Sequence, residues 1–136
     1  MIVVFDTNVV VEAIFWPRST ARRTLTGLAL RRFKTAVNQQ ILQEYASITA
    51  QLRKKLFSAT QPSGTLAWLA AKSLHIEPMP LDHKLSRDYK DNIFVATGAA
   101  ARARFLVTQD RDLLVLGKPF GVQIVTPVQL IRELSL

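Results

Sequence analysis

Short unbroken apolar runs alternate with longer stretches in which apolar residues recur every three or four positions. The first run, Ile2-Val3-Val4-Phe5, is rich in β-branched residues and has no polar position. Such a run reads as a strand buried on both faces, as in a parallel sheet covered by helices. Other apolar-rich runs, two of them with polar interruptions, predict strands at Phe33–Val37, Phe105–Thr108 and Val122–Val125. Ile76–Met79 is a further candidate, which Pro78 confines to a sheet edge because proline cannot donate to a ladder on both sides.

Val9–Phe15 is mostly apolar, is assigned no element, and gives way to a loop, Trp16-Pro17-Arg18-Ser19. The later stretches between strands predict helices, and Ser19 can cap the first of them over about Thr20–Arg32. Asn38 caps another from Gln39, with Ile41, Leu42, Tyr45 and Ile48 at helical spacing and Glu44 beside that stripe. Arg53–Ser58 either continues that helix or bends away from it. Pro62 opens the next at its first turn, and Thr65–Leu74 turns Leu66, Leu69, Ala70 and Leu74 inward, with Trp68 on the flank. Leu81–Asp91 is polar and loop-like. Asn92–Arg104 is a helix whose Phe94, Val95, Gly98, Ala99 and Ala101 suit close packing on a sheet. Leu113–Leu116 is an apolar turn closed by Gly117, and Thr126-Pro127 caps a last helix reaching Leu136. Alternating strands and helices define an α/β class with a mainly parallel sheet of four to five strands. At 136 residues the chain is read as one domain, 1–136.

The chemistry lies where the runs stop. Ile2–Phe5 ends on Asp6, and Phe105–Thr108 is followed by Gln109-Asp110-Arg111-Asp112. Ligands of open α/β sheets bind at the carboxyl ends of the strands, where connections diverge. Parallel strands share that edge, so Asp6 and Asp110 can converge there. Thr7 and Asn8 add a hydroxyl and an amide able to orient a carboxylate or a bound water. Each acid also has a structural explanation, since Asp and Asn cap helices and form turns. Converging carboxylates raise one another's pKa and stay ionised together only around a cation. Hard oxygen donors without cysteine or a histidine pair favour Mg²⁺ or Mn²⁺ over zinc. His75 and His83 are each isolated in sequence and are read as non-catalytic.

Charge extends this picture. Lysine and arginine number 18 against 10 acids, a net charge of +8, which favours a polyanionic partner. The excess is spread over short clusters rather than one tail, a pattern equally shown by solvated surfaces. With no cysteine, disulfides, thiolate metal sites and cysteine nucleophiles are excluded. No apolar stretch approaches the ~20 residues that span a bilayer, and no secretory leader is evident before the first strand. A cytoplasmic, membrane-free protein is expected.

Taken together, Asp6-Thr7-Asn8 after an apolar strand, Glu44 on the helix after strand two, Asp91-Asn92 opening a small-faced helix, and Val107-Thr108-Gln109-Asp110-Arg111-Asp112-Leu113-Leu114 resemble the PIN domain. More narrowly, they resemble the toxin components of VapBC-like toxin–antitoxin systems. The resemblance spans essentially the whole chain. It implies a three-layer α/β/α sandwich and a Mg²⁺- or Mn²⁺-dependent endoribonuclease that cleaves RNA phosphodiesters with metal-activated water. Carried over, Asp6, Glu44, Asp91 and Asp110 form the catalytic and metal-binding quartet, and Asp112 supports it directly or through water. Asn8, Thr108 and Asn92 surround the quartet. Arg18, Arg87 and Arg111 are candidates for substrate phosphates, and Trp16 for a contact with an unpaired base, a partner chain or the core. The resemblance further implies a homodimer held inactive by a cognate antitoxin whose tail occupies the acidic groove.

Two departures stand out. Many relatives carry glycine at the position of Gln109. Asp88 and Asp91 compete for the third acid, with Asp91 preferred because it adjoins Asn92 and the helix start. Three other readings use the same residues. Haloacid-dehalogenase-type phosphatases need a second Asp two residues after the first, where this chain has Asn8. A silent PIN-like binding module would have lost a metal carboxylate, and none is missing. A structure-specific DNA nuclease would use the same acids on another substrate.

Overall fold

The computed structural model describes residues 1–80 and 92–136. In chain order the elements are β1 (Ile2–Phe5), α1 (Thr7–Phe15), α2 (Thr20–Ala29), β2 (Lys34–Val37), α3 (Gln39–Lys55), α4 (Ser63–Lys72) and β3 (Leu74–His75). After these come α5 (Asn92–Ala101), β4 (Phe105–Val107), α6 (Arg111–Leu114), a 3-10 turn at Pro119–Gly121, β5 (Gln123–Val125) and α7 (Pro127–Leu134). The strands form one parallel sheet in the order β3-β2-β1-β4-β5. Val3, Val4 and Phe5 of the central strand are all buried, so helices cover both faces and the molecule is a three-layer α/β/α sandwich.

Topology positions the site. From β1 the chain moves outward to β2 and β3, then returns through α5, which packs across β2, β1 and β4, to place β4 on the other side of β1. The direction of winding reverses between β1 and β4, which opens a crevice at their carboxyl ends. Register puts Phe5 opposite Val107, and the Asp6 backbone N–H donates to the Val107 carbonyl at 2.9 Å. Asp6 and Thr108 therefore leave the sheet side by side.

Several boundaries differ from the sequence reading. Thr7–Phe15 is a helix throughout, although its residues Val9, Val10, Val11, Ala13 and Ile14 are buried with little polar interruption to mark a helical period. The helix expected to reach Arg32 ends at Ala29, where Arg31 turns to φ 59° and the Arg32 N–H returns to the Gly27 carbonyl at 3.0 Å. The same device ends α5 at Ala101 rather than Arg104: Arg102 takes φ 53° and the Ala103 N–H bonds the Gly98 carbonyl at 2.9 Å. Left-handed C-terminal residues satisfy the last carbonyls in this way.

The edge strand is Leu74–His75, two positions before the expected Ile76–Met79. Its partner β2 ends at Val37, because Asn38 turns out of the sheet to cap α3 and instead donates from its side chain to the Ile76 carbonyl at 3.2 Å. Leu74, expected to point inward, is 36% exposed on that edge. Leu113–Leu116 is not merely a turn: α6 begins at Arg111 with Asp110 as its cap, and Gly117 closes it at φ 71°. Thr126 and Gln129 form a reciprocal capping box on α7. Leu81–Asp91 lies outside the described residues. No described helix is long and apolar enough to cross a membrane.

Candidate active site

β1 delivers Asp6 to the crevice, where the residue is only 4% exposed. Asp6 is also the N-cap of α1, so its charge sits at the positive end of that helix. One oxygen accepts from the Thr7 backbone N–H at 2.7 Å, and the other from the Thr108 hydroxyl at 2.6 Å and the Asn8 amide at 3.3 Å.

Threonines join Asp6 to the other two described acids of the quartet. The Thr7 hydroxyl donates to the Glu44 carboxylate, which the second turn of α3 brings over the start of α1. The Thr108 hydroxyl, while donating to Asp6, accepts from the Asp110 backbone N–H at 2.9 Å. Asp110 caps α6 by accepting from the Asp112 N–H at 2.9 Å. Glu44, Asp110 and Asp112 are half-buried around a buried Asp6.

Burial pushes the Asp6 carboxyl up to about 6; hydrogen bonds from Thr108 and Thr7 oppose that rise, and the charges of Glu44 and Asp110 add to it. A buried acid with two acidic neighbours is a place where a cation lowers the energy. The donors are all oxygens, which suits Mg²⁺ or Mn²⁺. Among the described residues, no three acid or histidine side chains converge closely enough to enclose an ion on their own. Asp91, the fourth acid of the sequence reading, lies outside the described residues, as do Asp88, Arg87, His83 and the side chain of Asn92. His75 is exposed on β3, its ring bonded to the Ala70 carbonyl at 2.8 Å. Arg18 and Arg111 are exposed.

Three contributors were not assigned roles from sequence. Tyr45 is buried one residue beyond Glu44, and its phenol donates to the carbonyl of Phe5, the residue before Asp6. Gln109 links the Asp110 loop to α1, donating from its backbone to the Asn8 side chain at 3.3 Å and from its amide to the Glu12 carboxylate at 3.1 Å. Glu12 is thereby drawn toward the site. It follows Asn8 by four positions, one helical turn, which is the only sequence signal that could have marked it.

A family model described as PIN domain matches residues 2–112, from the start of β1 through the first turn of α6. The chain belongs to the PIN domain family. PIN domains are nucleases that in general employ divalent metal ions. Two solved structures share this fold at low sequence identity. One is VapBC2 from Rickettsia felis bound to a DNA fragment from their promoter, 18% identical with a TM-score of 0.61, covering 93% of this chain and 98% of that one. The other is PAE2754 from Pyrobaculum aerophilum, 18% identical with a TM-score of 0.62, covering 98% of this chain and 88% of that one. No curated protein sequence matches this PIN domain.

Proposed function

We propose that this PIN domain is a metal-dependent endoribonuclease acting as the toxin of a type II toxin–antitoxin pair. The observation that carries this reading is the buried Asp6 at the β1–β4 switch point, tied through Thr7 to Glu44 and through Thr108 to the Asp110 backbone. Family membership supports nuclease chemistry, and the shared fold with the VapBC2 structure supports the toxin role. The net charge of +8 around an acidic pocket supports a polyanionic substrate.

Asp6, Glu44, Asp91 and Asp110 are the residues that would hold Mg²⁺ or Mn²⁺, with Asp112 in reserve. Bound there, such an ion would polarise phosphoryl oxygens and lower the pKa of water, the chemistry that phosphodiester hydrolysis needs. The protein's own part is orientation. Thr108 and Thr7 fix the rotamers of Asp6 and Glu44, and Asn8 and Thr108 bind the Asp6 oxygen that Thr7's backbone does not. Arg18, Arg87 and Arg111 take flanking phosphates, which gives binding a marked salt dependence. A cognate antitoxin would cover this groove, and a homodimer in the cytoplasm is the working form under this reading.

Purified protein with Mg²⁺ or Mn²⁺, incubated with matched single-stranded RNA and DNA, tests the proposal. The expected result is RNA cleavage abolished by EDTA and by Asp6→Asn. Preferential cleavage of the DNA would move the protein to the structure-specific DNA nucleases. Binding without cleavage under any metal condition would make it a silent regulator.

A further inference from the structure

The loop after α1 carries an aromatic ring that the core does not use. Trp16 is 49% exposed, and its indole meets Phe15 edge-on, with ring centroids 6.2 Å apart and planes at 61°. That packing holds the indole against its neighbour by an edge. Trp16, Pro17, Arg18, Ser19 and Glu12 line one surface cavity. An exposed arginine and Glu12 therefore border the same concave aromatic surface.

Hydrogen bonds link the lining of this cavity to the acidic site. The Trp16 N–H closes the last turn of α1 on the Glu12 carbonyl at 2.9 Å, and the Glu12 side chain accepts from Gln109, the neighbour of Asp110. Along α1, Trp16 lies about 15 Å from Asp6 at the usual helical rise, a few nucleotides along a single strand.

We propose that the Trp16 cavity is a nucleobase subsite for single-stranded RNA, a reading that rests on the ribonuclease proposal above. The indole stacks on one unpaired base, and Arg18 takes the phosphate beside it. Glu12 makes the subsite selective. Its carboxylate repels phosphate, so the backbone is turned outward and the base inward. A carboxylate oxygen accepts from the exocyclic amino group of cytosine, and meets a carbonyl oxygen, itself an acceptor, at the same position of uracil. One Glu12 oxygen already binds Gln109, and a carboxylate retains further acceptor positions.

Titration in EDTA, with Asp6→Asn as the background, separates binding from cleavage: tryptophan fluorescence reports stacking, and the anisotropy of end-labelled RNA reports affinity, including that of variants without Trp16. The probes are hexamers of cytidine, hexamers of uridine, and a cytidine hexamer abasic at its central positions. Trp68, the second tryptophan, serves as the internal reference, and Trp16→Phe assigns the signal. The expected result is saturable quenching that Trp16→Ala removes, with affinity for the cytidine hexamer reduced about ten-fold, the size of one lost stacking contact. The cytidine hexamer binds more tightly than the uridine hexamer, and Glu12→Gln narrows that difference. The abasic hexamer binds the parent no better than the intact one binds Trp16→Ala. Equal affinity of parent and Trp16→Ala, or of intact and abasic RNA, overturns the subsite and leaves Trp16 as a protein-contact residue. Because Trp16 is half exposed, Ala there opens no core cavity, and a thermal melt verifies the fold. Loss of cleavage in the wild type would instead strike the nuclease reading, so the two failures are distinguishable.

Discussion

The phenol of Tyr45 donates to the carbonyl of Phe5, the residue whose next neighbour is Asp6. Tyr45 is buried, its ring stacks on Phe94 of α5 at 6.4 Å between centroids, and it directly follows Glu44. One side chain thus joins the end of β1, the Glu44 helix and the helix that Asn92 opens. Burial raises its pKa, with Asp6 and Glu44 adding to the rise, so the hydroxyl remains a donor at neutral pH. Tyr45→Phe leaves a buried carbonyl without its partner. It is expected to lower stability by about 1–3 kcal/mol in urea unfolding and to reduce cleavage well below the loss explained by unfolding. Unchanged stability would mean that water or a shifted backbone satisfies Phe5.

Thr108 offers a different test, because it bonds the ionised form of Asp6 at 2.6 Å. Removing a donor to a carboxylate raises that carboxylate's pKa. Thr108→Val is therefore expected to shift the acid limb of the pH–rate profile to higher pH, above that of the parent. A profile that keeps its midpoint while only its plateau falls would assign Thr108 a packing role.

Metal-free stability should also depend on pH, with a sign opposite to that of a salt-bridged acid. Asp6 titrates near 6 in the fold and near ~3.9 in an unfolded chain. Between those values the native state keeps a proton that the unfolded state has released, so stability falls as pH rises through this window. Two pKa units correspond to roughly 3 kcal/mol as an upper bound. Asp6→Asn is expected to flatten that decline and to be the more stable protein at pH 7 without metal. Denaturant melts of both proteins at pH 4 and pH 7 make the comparison, and parallel pH dependence would contradict it.

How much of this was legible in the sequence follows from what each signal depends on. β1 and β4 stood out because strands buried on both faces need unbroken apolar runs, and these two lie inside the sheet. α1 did not, since a helix enclosed by α2, α3 and the sheet has little polar face to reveal its period. The edge strand was misplaced by two residues because its register is decided by where Asn38 leaves β2, a tertiary matter. Glu44 could be singled out beside the apolar stripe of α3, yet its link to Thr7 depends on how α3 crosses α1. Tyr45 looked like an ordinary core aromatic, and only the approach of α3 to the Phe5 carbonyl shows its polar task.

The central claim is that the acids at the β1–β4 switch point form a divalent-metal site. Calorimetric titration of Mn²⁺ into the wild type, Asp6→Asn, Glu44→Gln and Asp110→Asn tests it most directly. The account predicts saturable binding to the wild type and at least a ten-fold weaker affinity in each variant, with folds matched by circular dichroism. Wild-type affinity retained in all three variants would contradict it.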